Sequence, residues 1–312
     1  MSRVAIIGAG AFGTALAVAL SPHRNVTLWG RRIGWQRENP RLPGVRLPEN
    51  ITLTEDLAQV GAEIVILALP AQALRGFLDR HATLLGDRAV VNTAKGIDLE
   101  TLESPSDLIS AAAPGAVVAT LTGPSFAADI ARGLPTALTL ACADGSASRL
   151  QETLSTPALR LYRTDDLRGA ELGGALKNVI AIAAGAAIGA GLGDSARAAL
   201  VTRGFAEMSR LATAMGARAD TLSGLSGLGD LVLTCTSDLS RNFRLGRALG
   251  AAEPFDDALT VEGAATARAV SRIAPKLGVA MPVSEAVAGL VSGNLGVQEV
   301  VSTLMERPLK EE

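Results

Sequence analysis

The stretch ELGGALKNVIAIAAG, from Glu171 to Gly185, sets an acid and then a lysine and an asparagine, Lys177 and Asn178, at the mouth of an apolar run that carries no charge as far as Gly193. Two readings suit a lysine there. Partly buried and near another cation, it gives up its proton more easily and can exchange protons near neutral pH; Lys95, in NTAKG, is the candidate second cation. Alternatively, its stem packs while its ammonium reaches solvent. These residues alone leave both open. A second constellation lies in GLSGLGDLVLTCTSDLSRNFRLG, where Asp230 follows a glycine-rich turn and Ser240, Arg241 and Asn242 stand together. Arginine beside hydroxyl and amide donors makes a clamp for an oxyanion or a phosphate. The same serine and aspartate serve equally well as helix N-caps.

Side chains of this kind need a scaffold, and the N-terminal half supplies the pattern of one. RVAIIGAGAFGTALAVAL runs from a short β-type segment through a turn at Gly8 into an alanine- and leucine-rich helix, with Gly8, Gly10 and Gly13 in the G-x-G-x-x-G positions. The first glycine permits the tight turn, the second lets a pyrophosphate approach the backbone, and the third lets helix and strand pack closely. The helix start then offers free N–H groups to phosphates. Further strands are expected at NVTLWG, AEIVILALP, RAVVNTAKG and AVVATLTGP, separated by helix-length segments, which predicts a doubly wound parallel sheet of the Rossmann type. Ligands bind beyond the carboxyl ends of such strands, where Arg31, Arg32, Pro70, Lys95, Gly123 and Ser125 fall. An NAD site usually carries an acid after the second strand; this chain has WGRRIG, and Arg31 and Arg32 suit a 2′-phosphate unless they are merely solvated loop charges.

Beyond about Asp166 the strand pattern stops and helical spacing takes over, so two domains are expected, 1–165 and 166–312, the second all-helical. The chain is 48% hydrophobic and 19% charged, as in a well-packed globular protein, and with only 3% aromatic residues but 33 glycines its helices must approach closely through small side chains. A net charge of −2 offers no electrostatic attraction for nucleic acid. The uncharged run from Val179 to Gly193 is shorter than the roughly 20 residues of a membrane span and is mostly alanine and glycine, which predicts a buried helix closely approached at Gly185 and Gly189. Cys142 and Cys235 lie far apart without metal-ligand spacing, no secretion signal opens the sequence, and a cytoplasmic protein with reduced thiols and no metal is expected. A dinucleotide-dependent carbonyl reductase needs a proton donor. Neither His23 nor His81 falls at a strand carboxyl edge, so the donor should be a lysine, a tyrosine or a carboxylate; Tyr162 is a weak candidate, and Lys177 answers the need in the first of its two readings.

Taken together, IIGAGAFGTALA, NTAKGI, LTGPSFAADIARGLPTA, ELGGALKNVIAIAAG, GLSGLGDLVLTCTSDLSRN and VEGAATA, in that order over nearly the whole chain, resemble the bacterial NAD(P)-dependent glycerol-3-phosphate dehydrogenases. The resemblance implies a Rossmann-type domain followed by a helical domain like that of 6-phosphogluconate dehydrogenase. It also implies reduction of dihydroxyacetone phosphate to sn-glycerol 3-phosphate with NADPH or NADH, for phospholipid synthesis. Carried over residue by residue, it implies Lys177 as the catalytic proton donor and acceptor, and Lys95, Gly123, Ser125, Asp230, Ser240, Arg241 and Asn242 as substrate contacts. On the cofactor side it implies Ala11, Phe12, Arg31, Arg32, Lys95, Ala127, Arg241 and Glu262 beside the three glycines. A homodimer is the family's suggestion for assembly. This chain has Ser195 where the family usually has asparagine, and Thr93 where alanine is common. Two other readings stand beside this one: a reductase of the same architecture acting on a keto or hydroxy acid, and a dinucleotide-sensing module without catalysis.

Overall fold

A computed structural model describes residues 2–34, 37–256 and 259–300; the far end of the expected second domain, 301–312, lies outside the described residues. The chain opens on strand β1 (Arg3–Ile7), buried from Val4 onward, and turns at Gly8 with φ +122°, where a Cβ would stand 2.3 Å from the Ala68 carbonyl oxygen, so only glycine fits. Helix α1 (Ala11–Leu20) follows, with no side chain capping its first turn. Strands β2 (Asn25–Trp29) and β3 (Thr52–Thr54) extend the sheet to one side, and β4 (Ile64–Leu67) returns to the other side of β1. Helix α2 (Ala71–His81), β5 (Ala89–Asn92), α3 (Pro105–Ala112), β6 (Val117–Thr122), α4 (Ala127–Ala131), β7 (Thr136–Ala141), α5 (Ala147–Leu154) and β8 (Leu159–Thr164) complete an eight-stranded sheet of order β3-β2-β1-β4-β5-β6-β7-β8.

The reversal of strand order between β1 and β4 is the switch point at which such sheets bind ligands, and the Gly8 turn sits on it. The expected parallel sheet holds from β3 through β6. Strand β7, absent from the expected set along with β3, runs antiparallel to β6, and β8 runs parallel to β7. A short, nearly continuous apolar segment such as Thr136–Ala141 carries no sign of its direction, which is decided by the connection through α4. One face of the sheet packs Leu16, Leu20 and Leu150, the other Leu74, Phe77 and Ile109.

After Thr164 the described residues contain helices and no strand. Helix α6 (Leu167–Gly189) is capped by Asp166, whose Oδ1 accepts from the Gly169 N–H at 2.8 Å and whose Oδ2 accepts from the Arg218 N–H at 2.9 Å. Around α6 stand α7 (Gly193–Ala214), α8 (Ala219–Ser223), α9 (Asp230–Cys235), α10 (Arg241–Gly250), α11 (Glu262–Ile273) and α12 (Pro282–Val291). Among the described residues α6 is the one helix long and apolar enough to cross a membrane, and 89% of its most apolar window is buried inside the protein, as a core helix requires. Glycines on both helices explain how α10 comes so near: a Cβ at Gly185 of α6 would stand 2.0 Å from the Phe243 carbonyl oxygen, and one at Gly246 of α10 2.0 Å from that of Ile182. Lys177 and Asn178 open the uncharged run but not the helix. They lie in its middle, because Asp166 sets the start of the helix more than two turns earlier.

Candidate active site

Three elements bring the ionisable groups together at the carboxyl edge of the sheet. Lys95 stands on the turn after β5, Lys177 on α6, and Asp230 opens α9 after a wide turn closed by the Gly229 N–H on the Gly224 carbonyl at 3.0 Å. Asp230 is 1% exposed and divides its two oxygens between the lysines: Oδ1 accepts from Lys177 Nζ at 3.0 Å and Oδ2 from Lys95 Nζ at 2.6 Å. Lys177 also donates to Thr234 Oγ1 at 2.6 Å, and that hydroxyl donates to Asp230 Oδ1 at 3.3 Å. Lys95 donates to the Gly123 carbonyl at 3.1 Å. Burial pulls the Lys177 pKa down from 10.5 to about 8, the Asp230 carboxylate opposes this, and the like charge of Lys95 adds to it. Of the two readings of Lys177, the packed stem with a solvated head is excluded, since its side chain is 8% exposed.

The amide of Asn178 ties the lysines' supports together. Its Nδ2 donates to the Lys95 carbonyl at 3.2 Å and to the Gly174 carbonyl at 3.3 Å, and its Oδ1 accepts from Asn242 Nδ2 at 2.9 Å. Asn242 Oδ1 in turn accepts from the Gly263 N–H of α11 at 2.9 Å. The Asn242 side chain is therefore engaged with protein through both ends. Ser240 caps α10, its Oγ accepting from the Phe243 N–H at 3.1 Å, which fulfils the capping alternative and leaves its O–H free to donate elsewhere. Arg241, the first residue of α10, is exposed and within electrostatic reach of Glu262 and Arg244. Ser125 Oγ donates to the carbonyl of Gly123, whose φ of +132° suits glycine.

The residues at the switch point fit a dinucleotide. Among the described residues nothing stands within 4 Å of a Cβ built at Gly10, so the backbone there is open to a ligand, while one at Gly13 would strike the Gly8 carbonyl oxygen at 2.1 Å. Ala11 and Phe12 begin α1, whose first N–H groups lack a side-chain cap. Ala127 begins α4 beyond β6, and Arg31 and Arg32 are exposed beyond β2 on a loop held by Glu55, whose Oε1 accepts from the Ile33 N–H at 2.6 Å. Glu262 opens α11 and reaches across to α2, its Oε1 accepting from the Ala71 N–H at 3.0 Å. Its Oε2 is buried without a hydrogen-bond partner among the described residues, 3.1 Å from where a Cβ at Gly96 would be. Burial holds its carboxyl above the usual range, opposed by the Ala71 N–H and Arg241. An orphaned acceptor between the ends of β4 and β5 suits a ligand that brings donors.

Thr234 and the bridging role of Asn178 were missed from sequence. The Asp230 and Thr234 pair, four residues apart on one helix, was the available signal. Tyr162 lies half-exposed on β8 at the sheet's edge, and His81 packs at a tilt against Phe77 with ring centroids 5.1 Å apart; neither lies among these groups.

A doubly wound sheet with a glycine turn at its switch point, facing a helical unit that brings a second lysine and a carboxylate to the strand edge, defines a nicotinamide-dinucleotide-dependent dehydrogenase. Residues 3–148 match the family profile described as NAD-dependent glycerol-3-phosphate dehydrogenase N-terminus, and residues 166–302 match that of its C-terminus. Glycerol-3-phosphate dehydrogenase [NAD(P)+] of Paracoccus denitrificans is 66% identical over 99% of both chains. That of Cereibacter sphaeroides is 60% identical over 99% of this chain and all of its own. The crystal structure of glycerol-3-phosphate dehydrogenase from Coxiella burnetii is similar at 34% identity with a TM-score of 0.92, covering 98% of this chain and 99% of that one. The chain belongs to the NAD-dependent glycerol-3-phosphate dehydrogenase family.

Proposed function

We propose that this chain reduces dihydroxyacetone phosphate to sn-glycerol 3-phosphate with NADPH or NADH, reversibly, supplying glycerophospholipid synthesis. The observation that carries the reading at the level of residues is the buried Lys177, with a pKa of about 8, facing Lys95 across one carboxylate beside the dinucleotide turn. When bound, the reduced nicotinamide supplies hydride to the substrate's carbonyl carbon. Lys177, as an ammonium, donates a proton to the carbonyl oxygen as negative charge develops there, and is reprotonated from solvent, so ketone, hydride and proton balance as alcohol. A pKa near 8 suits this exchange, since the group is charged at neutral pH yet parts with its proton readily. Asp230 and Thr234 hold the Lys177 amine by two of its three N–H donors, leaving one for the substrate. Lys95 polarises the same oxygen, and Asp230 keeps the two ammoniums from repelling one another apart.

Arg241 anchors the phosphate, with Ser240 and the remaining N–H of Asn242 beside it. Gly123 and Ser125 line the substrate side, and Gly8, Gly10, Ala11, Phe12, Gly13, Ala127 and Glu262 the cofactor side. Arg31 and Arg32 take the 2′-phosphate, so NADPH serves at least as well as NADH. The division of the chain at 165/166 belongs to the same reading, supported by the change from strand to helix between Thr164 and Leu167. So do a cytoplasmic location, supported by two buried, unpaired thiols, and a homodimer, which sedimentation tests. The deciding experiment follows nicotinamide absorbance with dihydroxyacetone phosphate and each reduced cofactor, against a panel of keto acids. Turnover of a keto acid in preference to the phosphate overturns the proposal, and cofactor binding without any turnover favours a sensing module.

A further inference from the structure

Behind the two lysines lies a buried acid that the reaction does not consume. Glu171, on α6 ahead of Lys177, is 5% exposed and accepts four hydrogen bonds. Its Oε1 accepts from Asn92 Nδ2 at 3.1 Å, the Ser106 N–H at 3.1 Å and Thr120 Oγ1 at 2.8 Å, and its Oε2 accepts from Ser106 Oγ at 2.6 Å. Every donor belongs to the sheet and its flanking helix: the end of β5, the start of α3 and the middle of β6. Asn92 passes the constraint on, since its Oδ1 accepts from the Ala94 N–H at 2.9 Å and its Nδ2 also reaches the Ala94 carbonyl at 3.3 Å. Those bonds fold the turn that ends in Lys95. Asn178, about two turns along α6 from Glu171, grips the far end of the same turn through the Lys95 carbonyl.

We propose that Glu171 is a positioning residue. Through Asn92 it holds the Lys95 turn against α6 and so sets the spacing of the two ammoniums across Asp230. The proposal rests on the reading that Lys95 and Lys177 carry the reaction. The physical reason is directionality. Apolar packing between α6 and the sheet tolerates small slides, whereas four donors converging on one carboxyl group fix both helix register and turn. The groups that bear electrostatically on Glu171 are Asp107, whose charge raises its pKa, and the hydroxyls of Ser104, Ser106 and Thr120, which lower it against the larger effect of burial. Those bearing on Lys177 are Asp230, Lys95 and Cys235.

The test is steady-state kinetics against pH for the wild type, E171A, E171Q, N92A and K177M. E207A is the control: Glu207 is an equally buried acid, accepting from the Val283 and Ser284 N–H groups at the start of α12, with no bond to either lysine or to the Lys95 turn. In E171A and N92A, kcat is expected to fall about tenfold or more while the Michaelis constant for NADPH stays within about twofold. The alkaline limb of carbonyl reduction should move up by about half a pH unit as Lys95 recedes and water reaches Lys177. E171Q should keep the wild-type limb, because its amide oxygen takes the same three donors and its N–H donates to Ser106 Oγ. E207A should lose thermal stability and keep the limb. A wild-type kcat and limb in E171A would make Glu171 a brace of the fold and overturn the proposal, as would an E171Q as impaired as E171A. A wild-type limb in N92A would do the same, and N92A with E171Q decides if E171A does not fold. Turnover surviving in K177M would instead overturn the reading of the lysines on which the proposal rests.

Discussion

Replacing Lys177 by methionine separates chemistry from architecture, because the new side chain keeps an unbranched apolar stem and removes only the amine. Burial lowers the Lys177 pKa from 10.5 to about 8, and at about 1.4 kcal/mol per pH unit the folded chain gives up about 3 kcal/mol to keep this amine charged at neutral pH. The sign follows from the depressed value: the cost is present in full below pH 8, shrinks as pH rises, and is gone above 10.5. Methionine removes that cost. It also leaves Asp230 with one lysine, yet Lys95 at 2.6 Å and the Thr234 hydroxyl still hold the carboxylate, so no buried charge is left unpaired. Thermal stability near pH 7 should therefore equal or exceed that of the wild type. Turnover should fall at least about a thousandfold, since general acid catalysis contributes about 10² to 10⁴ and the positive charge beside the forming alkoxide is lost as well. The assay pairs a fluorescence titration of NADPH with steady-state rates at saturating dihydroxyacetone phosphate and a thermal melt. Turnover within about tenfold of wild type would move proton donation to Lys95. Lost cofactor binding together with a lowered melting temperature would show that Lys177 serves to hold the sheet and helical units together.

The same pKa predicts that carbonyl reduction is level below about pH 8 and falls above it as Lys177 loses its proton, whereas alcohol oxidation rises up to that pH; initial rates in both directions across pH 6 to 10 check it. Arg31→Ala with Arg32→Ala should raise the Michaelis constant for NADPH much more than that for NADH, a charge-assisted contact being worth about 1.5 to 3 kcal/mol; equal losses would deny the arginines a 2′-phosphate role. Arg241→Ala should weaken dihydroxyacetone phosphate by about a hundredfold and leave the already poor unphosphorylated dihydroxyacetone little changed; equal losses would make Arg241 structural. Gly246→Ala places a methyl group 2.0 Å from the Ile182 carbonyl oxygen and should cost about 1 to 3 kcal/mol in a denaturation curve, a wild-type midpoint refuting the close approach of α6 and α10.

Features set by neighbours in the chain were legible in the residues themselves. The β1 turn and α1 follow from strand-forming residues running into glycines that alone tolerate the turn, and the switch from strand to helix after Thr164 follows from a change of apolar spacing. The stretch from Val179 to Gly189 was legible as part of a buried helix because its uncharged run is short and made mostly of alanine and glycine, which suit a closely packed core. The lysine, the aspartate and the arginine could be singled out by type, since each is costly or idle where it stands unless it does something. What sequence could not decide was their relation. Asp230 lies 135 residues from Lys95 and 53 from Lys177, and its placement between them is set by the docking of α6 and α9 onto the sheet edge. Thr234, the amide chain through Asn178 and Asn242, and the four donors on Glu171 were invisible for the same reason: a hydrogen bond across a fold leaves no periodicity along the chain. The direction of β7 and the mid-helix position of Lys177 likewise depended on how connections and caps were satisfied in three dimensions. Local sterics write themselves into adjacent residues, but the pKa of a buried lysine depends on what the fold excludes and brings near, and only the packed chain sets that distance.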